Sequence, residues 1–357
     1  MMNKEKKICF SSDFHGNTEM LREFLRRATT DDDDDDDDGL NADYVIIGGD
    51  IGPRGGKFHG HELVEFNSKD VVKQLDWFLN EFFPLVEEFF GARSSNRIDS
   101  KLFVLLGNSD WRFCERELEK MFESNARVMV MSGAGDVFKD ESVEILFTSL
   151  VIPSTHRKKD WERVDLNKER KSVKERERYG FISSKMNDYA GNTGSDDEVI
   201  TAAAAAVVVV EDYDMMGAPE NERPTIEAAL ENLRERLSSS SSFSSELSLT
   251  KIFVNHGPPK NTIGDLTQRN ERAGSRALRN FIADVQPDVT LHGHIHESVD
   301  MHGTEGVFTS KIGKTIVASS GNDFLKEIGH AIFFETKDIK AGKIIRYEIH
   351  PPARVAL

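Results

Sequence analysis

Five short polar motifs in this sequence carry side chains that bind metal ions or move protons. Each sets a carboxylate, an imidazole or an amide beside a glycine: Ser12-Asp13-Phe14-His15-Gly16-Asn17, Gly48-Gly49-Asp50, Gly107-Asn108-Ser109-Asp110, Asn255-His256-Gly257 and His292-Gly293-His294-Ile295-His296. A glycine in such a place lets the backbone turn sharply and approach a ligand closely. Any one motif alone also fits an ordinary turn, a helix cap or a loop histidine. Together, and in this order, they favour a common site.

The donor types indicate transition-metal ions. Two carboxylates, one amide and four imidazoles form a hard-to-borderline ligand set without a thiolate: Asp13, His15, Asp50, Asn108, His256, His294 and His296. Mn, Fe, Zn and Co suit this set better than Ca or Mg, which prefer oxygen ligands only. Seven ligands are too many for one catalytic ion that keeps an open position. They favour two ions about 3.5–4 Å apart that share one bridging carboxylate.

Apolar runs that resemble buried strands precede all five motifs. The predicted strands are Lys7 to Ser12, Tyr44 to Ile47, Lys101 to Leu106, Val143 to Thr148, Lys251 to Asn255 and Val289 to Leu291. Apolar residues at helical spacing predict helices around 21–28, 75–82 and 278–285. Alternating strands and helices predict a layered α/β domain. Because ligands bind at the carboxyl ends of the strands in open α/β sheets, the five motifs are expected to converge.

Further elements are expected around these. A helix over Arg112 to Phe122 is predicted, with Asp110 as a candidate N-cap. A strand-rich tail is predicted as a meander added to the sheet, with strands at Lys314 to Ser319, Ala331 to Glu335 and Lys343 to Ile349. The whole chain, 1–357, is interpreted as a single domain with low-complexity insertions at 31–39, 187–224 and 238–245.

Charge and composition narrow the choice of partner and compartment. The 46 basic and 62 acidic residues give a net charge of −16, and Asp31 to Asp38 account for eight of the negative charges. This balance gives no strong nucleic-acid signal. The mixed-sign segment 157–178 favours a solvent-facing helix over a basic arm.

The protein is expected to be soluble and cytoplasmic. Two cysteines cannot form a disulfide framework, and the N-terminus lacks the apolar region of a signal peptide. The longest apolar run, Ala202 to Val210, has nine residues, whereas a membrane-spanning helix needs about 20. No membrane partner is expected, and the oligomeric state stays open.

The five motifs resemble the calcineurin-like metallophosphoesterase superfamily, whose pattern is D-x-H, G-D, G-N-H-D/E, H and G-H-x-H. Other stretches resemble a bacterial and archaeal branch of it: Lys159-Asp160-Trp161-Glu162, His256-Gly257-Pro258-Pro259, Gly274-Ser275-Arg276-Ala277-Leu278-Arg279 and Leu291 to Ser298. The resemblance implies a four-layer α/β/β/α sandwich of two mixed β-sheets. By motif position it implies that Asp50 bridges two ions. One ion would be held by Asp13, His15 and His296, the other by Asn108, His256 and His294.

One position departs from the commoner family pattern. Ser109 stands where much of the superfamily has a histidine that is thought to stabilise the phosphoryl transition state or to protonate the leaving oxygen. A serine hydroxyl has no pKa near neutrality and cannot serve as a general acid as imidazole does. His59 and His61, after Asp50, are candidates for an acid from elsewhere, although they also fit two exposed loop histidines.

The implied function is a dinuclear metal-dependent phosphoesterase, with a phosphodiesterase favoured over a monoesterase. Its substrate would be a small phosphate ester, and its nucleophile would be a hydroxide that bridges the two metal ions. Mn is the metal expected first, and Fe, Zn and Co are the alternatives. A non-catalytic protein-interaction scaffold on the same fold is the main alternative. A nuclease is a third, but it should show a basic groove with aromatic platforms, which this sequence does not clearly offer.

Overall fold

The computed structural model describes residues 5–30, 39–54, 57–59, 62–65, 68–92, 100–152, 161–163, 165–168, 224–240, 249–299, 306–322 and 328–351. In these residues the strands are β1 (Lys7–Ser11), β2 (Tyr44–Gly48), β3 (Lys57–His59), β4 (Glu62–Glu65), β5 (Lys101–Leu105), β6 (Val128–Met131), β7 (Asp136–Lys139), β8 (Val143–Thr148), β9 (Thr250–Asn255), β10 (Val289–His292), β11 (Thr309–Ile312), β12 (Thr315–Ser319), β13 (Gly329–Glu335) and β14 (Ile345–Ile349).

The helices lie between these strands. They are α1 (Thr18–Thr29), α2 (Ser68–Trp77), a π-helical segment (Phe78–Phe82), α3 (Phe83–Phe90), α4 (Arg112–Phe122), α5 (Ile226–Ser240) and α6 (Arg276–Val285), with short 3₁₀ turns at Ile263–Asp265 and Ile339–Ala341. No helix in the described ranges is long and apolar enough to cross a bilayer.

Two six-stranded mixed sheets form the centre of the fold. The first has the order β14-β13-β1-β2-β5-β6 and the second β11-β12-β10-β9-β8-β7, while β3 and β4 form a separate hairpin. In the first sheet β1, β2, β5 and β6 run parallel to one another. Strand β13 pairs antiparallel with β1, and β14 pairs antiparallel with β13. In the second sheet β8, β9, β10 and β12 run parallel between antiparallel edge strands.

Alternate side chains of each central strand enter different cores. In β1, Ile8 and Phe10 belong to a cluster built from both sheets, whereas Cys9 packs with residues of α1 to α4. In β9, Ile252 belongs to the cluster between the sheets, and Phe253 packs with α5 and α6. The period of two in a strand requires this alternation. Three cores separate four layers, so the predicted α/β/β/α sandwich is confirmed.

Two local predictions are wrong. The C-terminal strands are not one meander, because β12 lies parallel to β10 in the second sheet while β13 and β14 join the first. Strand-like composition does not encode which sheet a strand joins. Asp110 does not cap α4, which starts after Trp111 without a side-chain cap. Its carboxylate accepts instead from the backbone N–H groups of Ile51, Gly52 and Gly107.

The interpreted insertions fall largely outside the described residues. This holds for 31–38, 187–223 and 241–245, and for most of the mixed-sign segment 157–178. Ser238 to Ser240 belong to the last turn of α5.

Candidate metal centre

The carboxyl ends of five parallel strands meet at one edge of the sandwich. Strands β1, β2 and β5 of the first sheet end there, as do β9 and β10 of the second. The loops after them carry the seven predicted donors, and the structure brings all seven side chains together: Asp13, His15, Asp50, Asn108, His256, His294 and His296.

A first set of donors consists of Asp13, His15, Asp50 and His296. One ligand atom from each lies within 4.8 Å of all the others. The Nε2 atoms of His15 and His296 are 2.9 Å apart. His15 Nε2 lies 3.6 Å from Asp50 Oδ2, and His296 Nε2 lies 3.5 Å from Asp13 Oδ1. Two facing imidazole nitrogens between two carboxylates fit a divalent cation.

A second set forms around the amide of Asn108. Its Oδ1 lies 3.0 Å from His256 Nε2 and 2.7 Å from His294 Nδ1. His256 Nε2 also lies 3.2 Å from Asp50 Oδ1. The two oxygens of Asp50 therefore face different sets, Oδ1 the second and Oδ2 the first. This is the arrangement that a shared carboxylate ligand requires.

The backbone at these strand ends is strained. Four of the seven donor residues have positive φ angles although none is glycine: Asp13 at 62°, His15 at 47°, Asp50 at 53° and His294 at 73°. Such conformations cost on the order of 1 kcal/mol or more each and cluster at functional sites. The strain turns side chains at the strand ends toward one point instead of letting them alternate across the sheet.

Glycines next to the donors allow three loops to pack without a gap. A Cβ at Gly49 would overlap with the ring of His256, and one at Gly107 would overlap with Asp50. A Cβ at Gly293 would overlap with Ser12 Oγ and Asp13 Oδ2. Any side chain at these three positions would collide with a neighbouring loop, so glycine is required there for space and not only for its backbone freedom.

The second donor set favours a positive charge at His256. Burial alone lowers the pKa of His256, but the Asp50 carboxylate, together with Asp13 and the carbonyl of Gly48, raises it to about 9. His256 Nδ1 donates to Gly48 O, so the Nε2 proton points at Asn108 Oδ1 and Asp50 Oδ1. A proton in that position marks where the donors favour a cation, and a metal would displace it.

Burial favours the neutral form of two other histidines in the donor sets, His15 and His294. Burial lowers the pKa of His15 well below its usual value, and burial with the charge of His256 lowers that of His294 to about 4. Burial also raises the pKa of Asp50, but His256, His15 and the backbone N–H of Ser109 outweigh it and keep that pKa well below normal. Neutral imidazoles and ionised carboxylates are the protonation states that bind metal.

Comparison with known protein families identifies the family of this chain. The family model described as calcineurin-like phosphoesterase matches residues 6–298, about four-fifths of the chain and all seven donors. The chain belongs to this family. Among curated proteins, no sequence matches the chain significantly.

Solved structures resemble this phosphoesterase family member only remotely. The protein TT1561 of Thermus thermophilus is 13% identical, with a TM-score of 0.47, covering 97% of this chain and 100% of its own. The phosphopantetheinyl hydrolase PptH of Mycobacterium tuberculosis is 14% identical, with a TM-score of 0.36, at 90% and 91% coverage. A conserved uncharacterized protein of Streptococcus pneumoniae, described as a predicted phosphoesterase, is 10% identical, with a TM-score of 0.27, at 97% and 98% coverage. The family assignment rests on the family model.

Ser109, at the position where the resembling family pattern has a histidine, faces the Asp50 carboxylate. Its backbone N–H donates to Asp50 Oδ1 at 2.7 Å, and its hydroxyl donates to Asp50 Oδ2 at 2.8 Å. Both bonds can use carboxylate lone pairs other than those facing the two sets. Ser109 therefore orients Asp50, and its hydroxyl is committed to that contact.

Several supporting residues of this phosphoesterase were not singled out in the sequence. Ser12 Oγ lies 2.9 Å from Ser320 Oγ and donates to Asp13 Oδ2 at 2.6 Å, which links the residue after β12 to the first donor set. Burial holds the pKa of Arg54 below its ordinary value, although the charges of Asp50 and Asp13 act to raise it. An arginine four residues after Asp50 is visible in the sequence, but its proximity to Asp13 depends on the fold.

The side chains of the two candidate acids after Asp50 lie outside the described residues. His59 belongs to β3, of which the structure describes the backbone, and His61 lies outside the described residues. His292, in the fifth motif, is held within the second sheet by Asn255 O and Thr290 Oγ1 and belongs to neither donor set.

Proposed function

We propose that this family member is a dinuclear metal-dependent phosphoesterase that prefers phosphodiesters to monoesters. One observation carries the proposal: the two oxygens of Asp50 face two separate donor sets, the first with two imidazoles and the Asp13 carboxylate, the second with two imidazoles and one amide. Carboxylate, neutral imidazole and amide oxygen fit Mn first, with Fe, Zn or Co as alternatives.

Two bound cations would supply an activated nucleophile and would neutralise charge on the phosphoryl oxygens. The protein residues hold the geometry. Asp50 orients both sets, Asp13 is fixed by the backbone N–H of His294 at 3.1 Å to each oxygen, and Gly48 O fixes the ring of His256. Arg54 lies near enough to Asp50 and Asp13 for their charges to act on its pKa, and its guanidinium is assigned here to the substrate phosphoryl group.

The preference for diesters follows from Ser109. Its hydroxyl donates to Asp50 and offers no proton of suitable acidity to a departing oxygen. A leaving group of low pKa departs without a proton, so activated esters, aryl diesters among them, suit the centre. A protein-interaction scaffold would gain little from a set of buried polar groups, which cost free energy unless paired.

The test is a substrate panel with the purified Mn-loaded chain. It should hydrolyse bis(p-nitrophenyl) phosphate faster than p-nitrophenyl phosphate, and removing metal with EDTA should abolish both activities. Arg54→Met should lower kcat/KM for the diester by about 10–100-fold, since one charge-assisted contact to the phosphoryl group is lost. Failure to turn over any ester at saturating Mn would favour the scaffold.

A further inference from the structure

Gln74 joins two loops of the candidate centre although it lies on a separate helix. It belongs to α2, and its side chain is fully buried. Its Nε2 donates to Pro53 O at 2.9 Å and to Ser109 O at 3.0 Å, and its Oε1 accepts from Trp111 N at 2.7 Å. One amide thus ties the loop after β2 to the loop after β5.

These contacts leave the amide no alternative orientation. Both Nε2 protons are used, and a flipped amide would set Oε1 against the carbonyl oxygens of Pro53 and Ser109 and would face Trp111 N–H with another donor. The loop also packs directly on the side chain, since a Cβ at Gly52 would lie 3.0 Å from Gln74 Cγ. A buried backbone carbonyl that loses its donor costs about 1–3 kcal/mol.

The bonded backbone atoms adjoin residues that act at the centre. Pro53 directly precedes Arg54, and Ser109 follows Asn108 and contacts Asp50 with both of its own donors. Movement of one loop relative to the other would change the distance between Arg54 and the donor sets. Misplacement by about 1 Å costs as much as 10²-fold in rate.

We propose that Gln74 is a positioning residue that holds Arg54 in register with Asp50 and the Asn108 loop, so that the phosphoryl group meets the guanidinium and both donor sets together. This role rests on the proposed function, because Gln74 would affect catalysis by positioning Arg54 and not by touching the substrate.

The first test compares two hydrogen-bonded side-chain amides, that of Gln74, which is buried, and that of Asn125, which is half-buried. Gln74→Met keeps the length of the side chain and removes its hydrogen bonds to Pro53, Ser109 and Trp111, together with a weak one from Cys114 Sγ. Asn125→Leu is the matched control: Asn125 donates to Glu87 Oε1 and Phe90 O and accepts from Arg127 N, before β6 and away from the strand ends that carry the donors. Both variants should lose a few degrees in Tm. Only Gln74→Met should lower kcat/KM for the diester, by about 10–100-fold.

A double-mutant cycle separates positioning from general destabilisation. If Gln74 acts through Arg54, adding Gln74→Met to Arg54→Met should lower kcat/KM by less than about threefold further, because the group to be positioned is already gone. Losses that multiply would overturn the proposal. So would Gln74→Met with wild-type kinetics.

Two readouts do not need turnover. Binding of inorganic phosphate to the Mn-loaded chain, measured by calorimetry, should weaken by a similar factor in Gln74→Met and Arg54→Met and stay unchanged in Asn125→Leu. In the metal-free chain, amide exchange over 107–111 should accelerate in Gln74→Met alone. A wild-type chain that binds phosphate but hydrolyses nothing would refute the proposed function and leave these readouts valid. Unchanged phosphate affinity and exchange in Gln74→Met would refute the role of Gln74.

Discussion

Asp50 is the residue on which the two donor sets depend. Its oxygens lie 3.2 Å from His256 Nε2 and 3.6 Å from His15 Nε2, one oxygen to each set. Asp110, two residues beyond Asn108, is buried as deeply, but within the described residues its carboxylate accepts hydrogen bonds from backbone N–H groups. Burial, with the charge of Asp50, raises the pKa of Asp110 to about 6. The Asp50 carboxylate thus faces both donor sets, whereas the Asp110 carboxylate binds the backbone of the neighbouring loops.

Replacing each carboxylate by its amide separates these roles. Asp50→Asn should lower kcat by more than about 10³-fold, since it removes the charge facing both sets, whereas Asp110→Asn should cost about 10–100-fold, as is usual for groups that orient ligands. Steady-state kinetics at saturating Mn measure both. Equal losses would remove Asp50 from the bridging role.

Ser109 sets the expected dependence on the leaving group. Without an acid there, turnover of substituted aryl phosphodiesters should fall steeply as the pKa of the leaving phenol rises. Ser109→Ala should lower all rates by a similar factor and keep the slope, because the hydroxyl contacts Asp50. Ser109→His should flatten the slope, by up to about 10² for the poorest leaving groups. A wild-type rate insensitive to leaving-group pKa would contradict this account.

At the scale of elements, close packing of the strand-end loops explains why the donors converge. The turn after β10 contributes Gly293, whose Cα approaches Ser12 and Asp13 beyond β1 of the other sheet. This contact and the bonds from His294 N to Asp13 join the two sheets at the site. The geometry of the first donor set therefore depends on how the sheets pack.

Gly293→Ala should disturb this contact. The added methyl group overlaps with the Asp13 carboxylate, so Mn affinity should fall by at least about 10-fold and activity with it. Gly342→Ala is the control: its φ of 72° strains an alanine, but no atom lies within 4 Å of the added Cβ. It should cost about 1 kcal/mol of stability and leave Mn affinity unchanged. Equal Mn affinity in the two variants would show that the approach of Gly293 is unimportant.

Sequence patterns predicted the strands that position the site better than the edge strands. Strand β2 is buried at every residue, and its apolar run is plain in the sequence. Strands β6, β7 and β11 were missed because each has four residues of mixed burial, which gives neither an apolar run nor a clean alternation. The convergence of the seven predicted donors could be anticipated from residue type and strand-end position. Gln74 and Ser320 act through contacts across more than 30 positions, which no local pattern encodes.

At the scale of the whole molecule, one buried carboxyl group lowers the stability of the fold at neutral pH. Glu115 of α4 is 4% exposed and accepts from Gly133 N at 3.0 Å. Burial raises its pKa from 4.5 to about 7, although Gly133 N–H and Arg112 act to lower it. The folded chain therefore binds a proton more tightly than the unfolded chain. Stability from this group is complete below pH 4.5, falls as the pH rises toward 7, and is constant above.

Glu115→Gln should remove this dependence. The amide oxygen can still accept a hydrogen bond from Gly133 N–H, and the amide never ionises. The free energy of unfolding of the variant minus that of the wild type should therefore be up to about 3 kcal/mol larger at pH 8 than at pH 4.5. Urea unfolding of the metal-free proteins at both pH values measures the difference. A stability difference between variant and wild type that is the same at both pH values would contradict the assignment.

The stoichiometry of metal binding tests the central claim most directly. Both donor sets share Asp50, and each is completed by residues from two sheets, so the folded chain should bind two equivalents of Mn. Elemental analysis after Mn loading and removal of free metal measures this number. Two equivalents per chain, falling toward zero in Asp50→Asn, is the predicted result. A wild-type value that stays at or below one at saturation would contradict a dinuclear centre.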